Sequence, residues 1–504
     1  MENEANMNQK PQTIQELIAG NALIDAFMGG GTSAPRKEHP EAKVEALLAT
    51  IEACSDVEVL VAGIETDLEK VSVVAGEDGE RLIKINTEKD IQMETMAARL
   101  TRIKSLMYNE RTTTPSFPQS LLNIGSTKHK TVAAALHHAL MQSPARKMIL
   151  PNLLHELQEL PFETRKDVAS IFNYLLVCGC VNIGEAASEN NSDSTSASYT
   201  KTMINFVKYV DEYYQPIMKS IIAGHYVQIS PPRILTYELD NIESGEDKDS
   251  IKKEDSTNTS TQVKPVDVAL HCGAILRSTL RHPKLYSNLV SAANTPVFVY
   301  PFLDRFVNQP NFEVSSDALE TLRLIMHPDG SGIAVPSVAA NPSSQEFEIV
   351  DNPDDLEAMM EATAAEFLER DFDAIFMQRF NIKLLSAQSA NYITRRVSLQ
   401  ILSAVLLTRS NYNIMMQYIS NRNNLKTVMM LLSDSSAHIT LEAFNVFKIF
   451  VANPNKPVEI VRILADNKVK LVKYLTSLHQ DREASDDQFK DEKALVISTL
   501  EQME

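Results

Sequence analysis

The hydrophobic pattern is most regular between residues 391 and 456. In residues 439–451, ITLEAFNVFKIFV, Leu441, Phe444, Phe447 and Val451 form one apolar row at helical spacing, and Ile439, Ala443, Val446 and Phe450 form a second. Only Glu442, Asn445 and Lys448 leave a narrow polar stripe. A helix apolar on two sides must be packed between neighbours, as the middle helix of a repeat is. Asn453-Pro454-Asn455 stops it.

Helical periodicity runs through most of the remaining chain. Residues 41–108 place Val44, Leu47, Leu48 and Ile51 at helical spacing, and a Thr/Pro-rich break at 112–118 ends that segment. Residues 119–176 are helical again. Pro161 opens the helix FETRKDVASIFNYLL with acid in its first turn, and Gly179 supplies a left-handed stop. Residues 201–237 return to helix. Three stretches interrupt the pattern. Residues 184–200 and 239–262 are Ser/Thr-rich with few apolar positions and cannot help build a core. The third, from His327 to Pro353, carries Gly330, Gly332, Pro336 and Pro342. All three read as surface insertions.

Four helical segments share a register, beginning at Val268, Val314, Ile393 and Ile439. Val268 to Val314 and Ile393 to Ile439 are each 46 positions, and Val314 to Ile393 is 79. Asp167-Val-Ala-Ser-Ile-Phe172 looks like a fifth copy of the segment at Asp317. A helical repeat of this length has the armadillo/HEAT period, not the shorter ankyrin or tetratricopeptide one. The expected fold is therefore all-α, a right-handed superhelical armadillo/HEAT-like solenoid with disordered acidic insertions. The expected organisation is a flexible arm over 1–40 and N-terminal helical repeats over 41–180. An insertion at 181–200 precedes a helical repeat at 201–238, and an acidic insertion at 239–263 precedes helical repeats at 264–328. A loop insertion at 329–353 then leads into C-terminal helical repeats over 354–504.

Charge changes this picture in one respect. The formal net charge is −18, which argues against general nucleic-acid binding. Yet residues 391–480 hold eleven Lys and Arg against four Asp and Glu. A basic module inside an acidic protein suggests a surface for an acidic partner. The polar start, MENEANMNQKPQT, does not read as a signal peptide, and no apolar run approaches the roughly 18 residues of a membrane span. Cys54, Cys178, Cys180 and Cys272 are too few for a disulfide framework and point to a reducing compartment.

Candidate chemistry is sparse. Gly29-Gly30-Gly31-Thr32 lacks the Gly-Lys-Ser/Thr ending of a phosphate loop. His155-Glu156 begins like a zinc-protease motif, but Glu159 stands where the second His belongs. His155 and the pair His137-His138 read as surface histidines. Cys178-Gly179-Cys180 lacks the two-residue gap of zinc and redox pairs. Asp486, Asp487, Asp491 and Glu492 lack the glycine of a calcium loop and read as a solvated helix start. No hydrolase elbow, kinase or Walker motif is present. No enzyme activity, metal or cofactor is expected. Tyr392, Arg396 and Gln400 lie at i, i+4 and i+8 on one helix face, flanked by Arg395 and Ser403, while Val397, Ile401, Leu402 and Val405 point inward. An aromatic and an arginine on an exposed face are the usual make-up of a partner hot spot. Met429 and Met430, near Met415 and Met416, read as core, with an adaptable peptide groove as the alternative.

Several stretches resemble the calcium-binding protein 39 family, whose fungal members are called HymA. They are PFETRKDVASIFNYLL (161–176), VALHCGAILRSTLRHP (268–283), FEVSSDALETL (312–322), NYITRRVSLQILSAVLLTRSNYNIMMQYIS (391–420), NLKTVMMLLSDSSAHITLEAFNVFKIFVANPNK (424–456) and DDQFKDEK (486–493). The similarity covers roughly 161–180, 264–326 and 361–500; the first 150 residues match it only thinly, and the three insertions fall outside the pattern. It implies a curved, non-enzymatic helical scaffold. Family members bind germinal-centre kinases and a related pseudokinase and hold them in an active, closed conformation. In animals this assembles a complex with the liver tumour-suppressor kinase, and in fungi it feeds a morphogenesis and cell-separation pathway.

The resemblance implies two surfaces. A concave face grips the kinase lobe, at positions corresponding to Phe312, Tyr392, Arg396 and Gln400, with Arg395 beside them; Gln400 replaces a basic residue of the family. A C-terminal pocket receives a short Trp-Glu-Phe tail, and Arg409 and Met429 match it, with Lys426 adjacent. Asp466 stands where the family has a lysine, reversing a charge near the tail's carboxylate; either Lys468 or Lys470 takes over, or tail binding is altered. The expected state is a cytoplasmic monomer within a hetero-complex, partnered by a germinal-centre-type kinase or pseudokinase. A general armadillo/HEAT adaptor or peptide receptor, not tied to kinases, is the alternative.

Overall fold

The computed structural model describes residues 40–73, 82–107, 127–177, 205–225, 266–328, 337–340, 347–350 and 352–503. The expected N-terminal arm up to residue 39, the Gly29–Thr32 loop, the Cys178-Gly179-Cys180 turn and the Ser/Thr-rich insertions at 184–200 and 239–262 lie outside the described residues. Among the described residues the fold is an all-α helical repeat with a single two-stranded hairpin. The chain divides into two compact units. Of the described residues, the first comprises those up to 225, those from 266 to Leu285 and those from 337 to Pro353; the second comprises those from Tyr286 to 328 and from Asp354 onward.

In the first unit the helices are α1 (Pro40–Val73), α2 (Leu82–Met107), α3 (Thr127–Met141), α4 (Ile149–His155), α5 (Phe162–Val177), α6 (Tyr214–His225) and α7 (Val266–Thr279). Helix α1 packs on α2 and α3, and α7 packs on α5 and α6. Cys54, Val57, Val61 and Ile64 of α1 and Met93, Met96, Leu100 and Ile103 of α2 are buried at spacings of three and four, which puts one side of each helix in the core. Gly224 is needed where α6 meets α7, because a Cβ there would overlap the Cys272 sulfur. The motif PFETRKD proves to be structural. Arg165 donates to both carboxylate oxygens of Asp267 (2.9 and 2.8 Å) and to the carbonyls of Leu157 and Gln158. Asp167 accepts from Thr101 (2.8 Å) and Lys104 (2.6 Å).

Two expectations are corrected in this unit. His137 is not a surface residue. It lies buried in α3 with its ring edge-on to Phe206. Burial pushes its imidazole down to about 4, against a backbone hydrogen bond at Asn205 and with help from the neighbouring His138. The stretch read as a loop insertion at 329–353 contains an antiparallel hairpin, β1 (Ser337–Ala340) and β2 (Phe347–Val350), with Ser337 opposite Val350 and Ala340 opposite Phe347. The Lys208 ammonium stands 5.2 Å from the Phe347 ring centre. Pro and Gly around the strands masked a period of two only four residues long.

In the second unit the helices are α8 (Phe312–Met326), α9 (Pro353–Arg370), α10 (Tyr392–Leu407), α11 (Tyr412–Ile419), α12 (Arg422–Leu432), α13 (Ala437–Ala452), α14 (Val458–Ser477) and α15 (Asp487–Glu501). Helix α10 packs between α8 and α13, α13 also packs on α12 and α15, and α14 packs on α12 and α15. A π-helical stretch, Asp373–Leu384, follows α9. It buries Phe376 and Phe380, and Phe376 meets Tyr418 edge-on at 5.8 Å. The Tyr418 hydroxyl donates to Asn381, whose amide donates to Asn424, whose amide returns to the Tyr418 carbonyl, each at 2.9 Å.

The repeat register is visible as burial. Thr164, Val268, Val314, Thr394 and Ile439 are equivalent buried positions, each followed by buried residues four, five, seven, eight and eleven positions later. The expected register slips by one at α10: Val314 to Thr394 is 80 and Thr394 to Ile439 is 45, because Thr394, not Ile393, points inward. The cause is local. Asn391 accepts from the Thr394 N–H (2.9 Å), which fixes the helix start, and the Thr394 hydroxyl donates to the Val307 carbonyl (3.0 Å). Ser315, one position on from Val314, donates to the same carbonyl at 2.7 Å. The DDQFKDEK segment closes the array. Asp486 accepts from the Phe489 N–H (3.0 Å), Phe489 packs edge-on against Phe444, and the buried Lys493 donates to the carbonyls of Thr476 (3.2 Å) and Leu478 (2.8 Å) and to Glu483 (2.6 Å). Asp486 and Asp487 therefore start a helix, as expected from sequence, while Asp491 and Glu492 fall in its second turn and Glu492 pairs with Lys448 at 2.6 Å.

Candidate partner-binding face

The two asparagine caps also position the candidate face. Asn311 accepts from the Val314 N–H (3.1 Å) as Asn391 does from Thr394. Each cap makes the next residue the first of its helix, so Phe312 and Tyr392 occupy equivalent positions on the packed pair α8 and α10. Side chains there have no preceding turn to cover them, and Phe312 is 63% and Tyr392 37% exposed. Arg396 follows Tyr392 by one turn and makes no hydrogen bond or ion pair among the described residues. Gln400, another turn on, is exposed and donates to Glu442 Oε1 of α13 at 2.7 Å. Asn445 donates to the other oxygen of that carboxylate at 3.3 Å.

Arg395 departs from its expected place beside this stripe. Its side chain is 13% exposed and pairs with Asp434 at 2.5 Å. Burial works to raise the Asp434 carboxyl, but the Ser436 N–H and the Arg395 guanidinium together hold it below the usual carboxylate range. Arg395 thus ties α10 to the turn before α13 and is not a surface cation. The sequence offered no means of telling it from Arg396, because both flank the same apolar row.

The residues expected at the tail pocket fall on three elements. Arg409 is exposed on the short turn Arg409–Asn411 before α11. Lys426 is exposed and Met429 half-buried on α12, while Asp466 and Lys468 lie on α14, which packs against α12. Met430 corrects the core reading, being 69% exposed; Met415 and Met416 are half-buried. Asp466 is exposed and faces Arg462 at 3.8 Å, and the Lys468 ammonium donates to the Met503 carbonyl at 2.7 Å. Lys470 is exposed. Glu442 and Asp434 are the residues of this region that sequence reasoning did not single out for a site. Glu442 gave a signal only as part of the narrow polar stripe of α13. Among the described residues, no group of His, Cys, Asp and Glu could hold a metal ion, and no helix is long and apolar enough to cross a membrane.

A family model described as Mo25-like matches residues 59–332 and 354–504. A Mo25-like protein of Schizosaccharomyces pombe is 36% identical over 237 residues, 47% of this chain and 60% of that protein. Calcium-binding protein 39-like of Homo sapiens is 36% identical over 235 residues, 46% of this chain and 57% of that protein. The conidiophore development protein hymA of Emericella nidulans is 27% identical over 384 residues, 76% of this chain and 81% of that protein. The chain thus spans about three-fifths of the length of the first two relatives. The family match starts at residue 59, taking in helices where the motif resemblance was thin, and it leaves out 333–353, where the hairpin lies. Running through both units and covering most of the sequence, it shows that the chain belongs to the Mo25-like family.

Proposed function

We propose that the protein is a non-catalytic scaffold that binds a germinal-centre-type protein kinase or pseudokinase through the face of Phe312, Tyr392, Arg396 and Gln400, and stabilises its active conformation. The observation that carries this reading is the unpaired Arg396 guanidinium beside exposed Tyr392, one packed helix away from exposed Phe312. Aromatic and arginine side chains held on rigid helices are what a hot spot needs. Activation without chemistry requires that the scaffold bind the active conformer more tightly than the inactive one; a ligand of equal affinity for both shifts nothing. In the same reading exposed Arg409 and Lys426 and half-buried Met429 around α11 and α12 receive a short anionic partner tail, with Lys470 as its cation, since Lys468 is engaged with Met503. The protein acts in the cytoplasm as a monomer within the hetero-complex, without nucleic acid or cofactor.

The test is co-purification from the native cell, followed by mixing with the recovered kinase domain. Binding and a rise in kinase activity are expected. Tyr392→Ala and Arg396→Ala each weaken binding by about 30-fold, the size of a 2 kcal/mol hot spot, with unchanged helicity by circular dichroism. Recovery of no kinase or pseudokinase, or binding by both variants as tight as wild type, defeats the proposal.

A further inference from the structure

Glu442 stands out on the face just described. Both of its carboxylate oxygens are held, but by neutral amides: Oε1 by Gln400 at 2.7 Å and Oε2 by Asn445 at 3.3 Å. Amide donors fix a carboxylate in place without cancelling its charge. The cation two turns further along α13, Lys448, is already spent on Glu492 at 2.6 Å. No ion pair to Glu442 exists among the described residues, and the Arg396 guanidinium is likewise unpaired. An ionised glutamate has about four acceptor positions, of which two are filled here. The face therefore carries a fixed anion on α13 and a free cation on α10, inside a stretch of the chain that is otherwise strongly basic.

Resting on the kinase-binding reading above, we infer that Glu442 is a specificity determinant of this face: it receives a lysine or arginine of the bound partner, while Arg396 receives a partner carboxylate. A partner with an apolar or acidic residue opposite Glu442 would bury a charge without its counterion, which costs more than the contact returns. The same residue thus attracts one class of partner and repels another. Gln400 belongs to the device as the group that orients the carboxylate. A lysine at position 400 would neutralise Glu442 internally and leave nothing for the partner to match.

The experiment uses the full-length chain and the kinase domain recovered with it. Wild type, Glu442→Gln, Glu442→Lys, Gln400→Lys and Arg396→Ala are compared for Kd at low and at physiological salt, with thermal melts as a fold control. Glu442→Gln is expected to weaken binding about 10-fold and to flatten its salt dependence, Glu442→Lys about 100-fold or more, and Gln400→Lys to resemble Glu442→Gln. Exchanging the facing partner lysine or arginine for glutamate is expected to restore binding to Glu442→Lys alone. Unchanged Kd and salt slope in Glu442→Gln, with Arg396→Ala still losing the partner, overturns this inference and leaves the scaffold reading standing. Equal binding by Arg396→Ala and wild type overturns both.

Discussion

Arg395 and Arg396 are adjacent in sequence and differ in what holds them: Arg395 pairs with Asp434 in the turn before α13, while half-buried Arg396 makes no hydrogen bond or ion pair among the described residues. Their substitution should therefore separate stability from binding. Arg395→Ala leaves the part-buried Asp434 carboxylate without its cation, a loss between that of an exposed and a fully buried pair, about 1–2 kcal/mol; the urea midpoint should drop accordingly. Arg396→Ala breaks no hydrogen bond or ion pair among the described residues, so its unfolding free energy should stay within about 0.5 kcal/mol of wild type while partner binding falls. Equal losses of stability from the two variants would contradict this division. At this scale residue types and a helix face are legible in the sequence, which is enough to select Tyr392, Arg396 and Gln400. It could not separate 395 from 396, because the two lie about 100° apart on a helix and the difference is decided by Asp434, 39 residues away.

Helices carry a different lesson, because their existence was legible while the start and register of α10 were not. Every segment of α8, α10 and α13 appeared as helix from its apolar period, yet the register built on Ile393 was off by one. Ile393 is the more apolar residue, but Thr394 is buried, because the Asn391 cap and the Val307 carbonyl together pay for its hydroxyl. The π-helical stretch Asp373–Leu384 has no period of its own to read, and Arg379 holds it through the Ala374 carbonyl (2.8 Å) and a stack 3.8 Å over the Tyr300 ring, contacts set by tertiary structure. The caps can be tested by contrast. Asn391→Ala should cost about 1 kcal/mol, the ordinary value of a side-chain cap. Ser436→Ala, at the start of α13 where the side chain makes no cap bond, should cost a few tenths at most. Denaturant unfolding of the two variants decides it; a Ser436→Ala loss as large as that of Asn391→Ala would show that side-chain capping is not what fixes these starts.

Across the whole molecule the charge asymmetry was legible, since it needs only counting, while the burial of ionisable groups was not, since a histidine in a helix looks alike inside and out. Two histidines of the first unit make the difference measurable. His282 is fully buried, and its imidazole is driven down to about 4 by burial and the adjacent Arg281, against a backbone hydrogen bond at Leu176; His137 is driven to about 4 in the same way. Both are neutral in the folded chain at every pH above about 4, whereas an unfolded histidine takes a proton below about 6.5. The unfolded state therefore binds more protons between those values, and stability falls as pH falls through them. At pH 5 each histidine should have withdrawn about 2 kcal/mol relative to pH 7.5. The window lies above the carboxylate range, so ordinary Asp and Glu residues contribute little to it. In the second unit His479 is also lowered, first by burial and then by Arg482, Lys493 and His438, but it is only part-buried, so its contribution should be smaller. Urea unfolding between pH 7.5 and 5 should show a falling midpoint for the first unit, and His137→Gln with His282→Gln should flatten that slope whatever they do to absolute stability. A midpoint that holds steady from pH 7.5 to 5 in the unsubstituted chain would mean that these imidazoles take up protons in place, and that the cores around α3 and the end of α7 open to water.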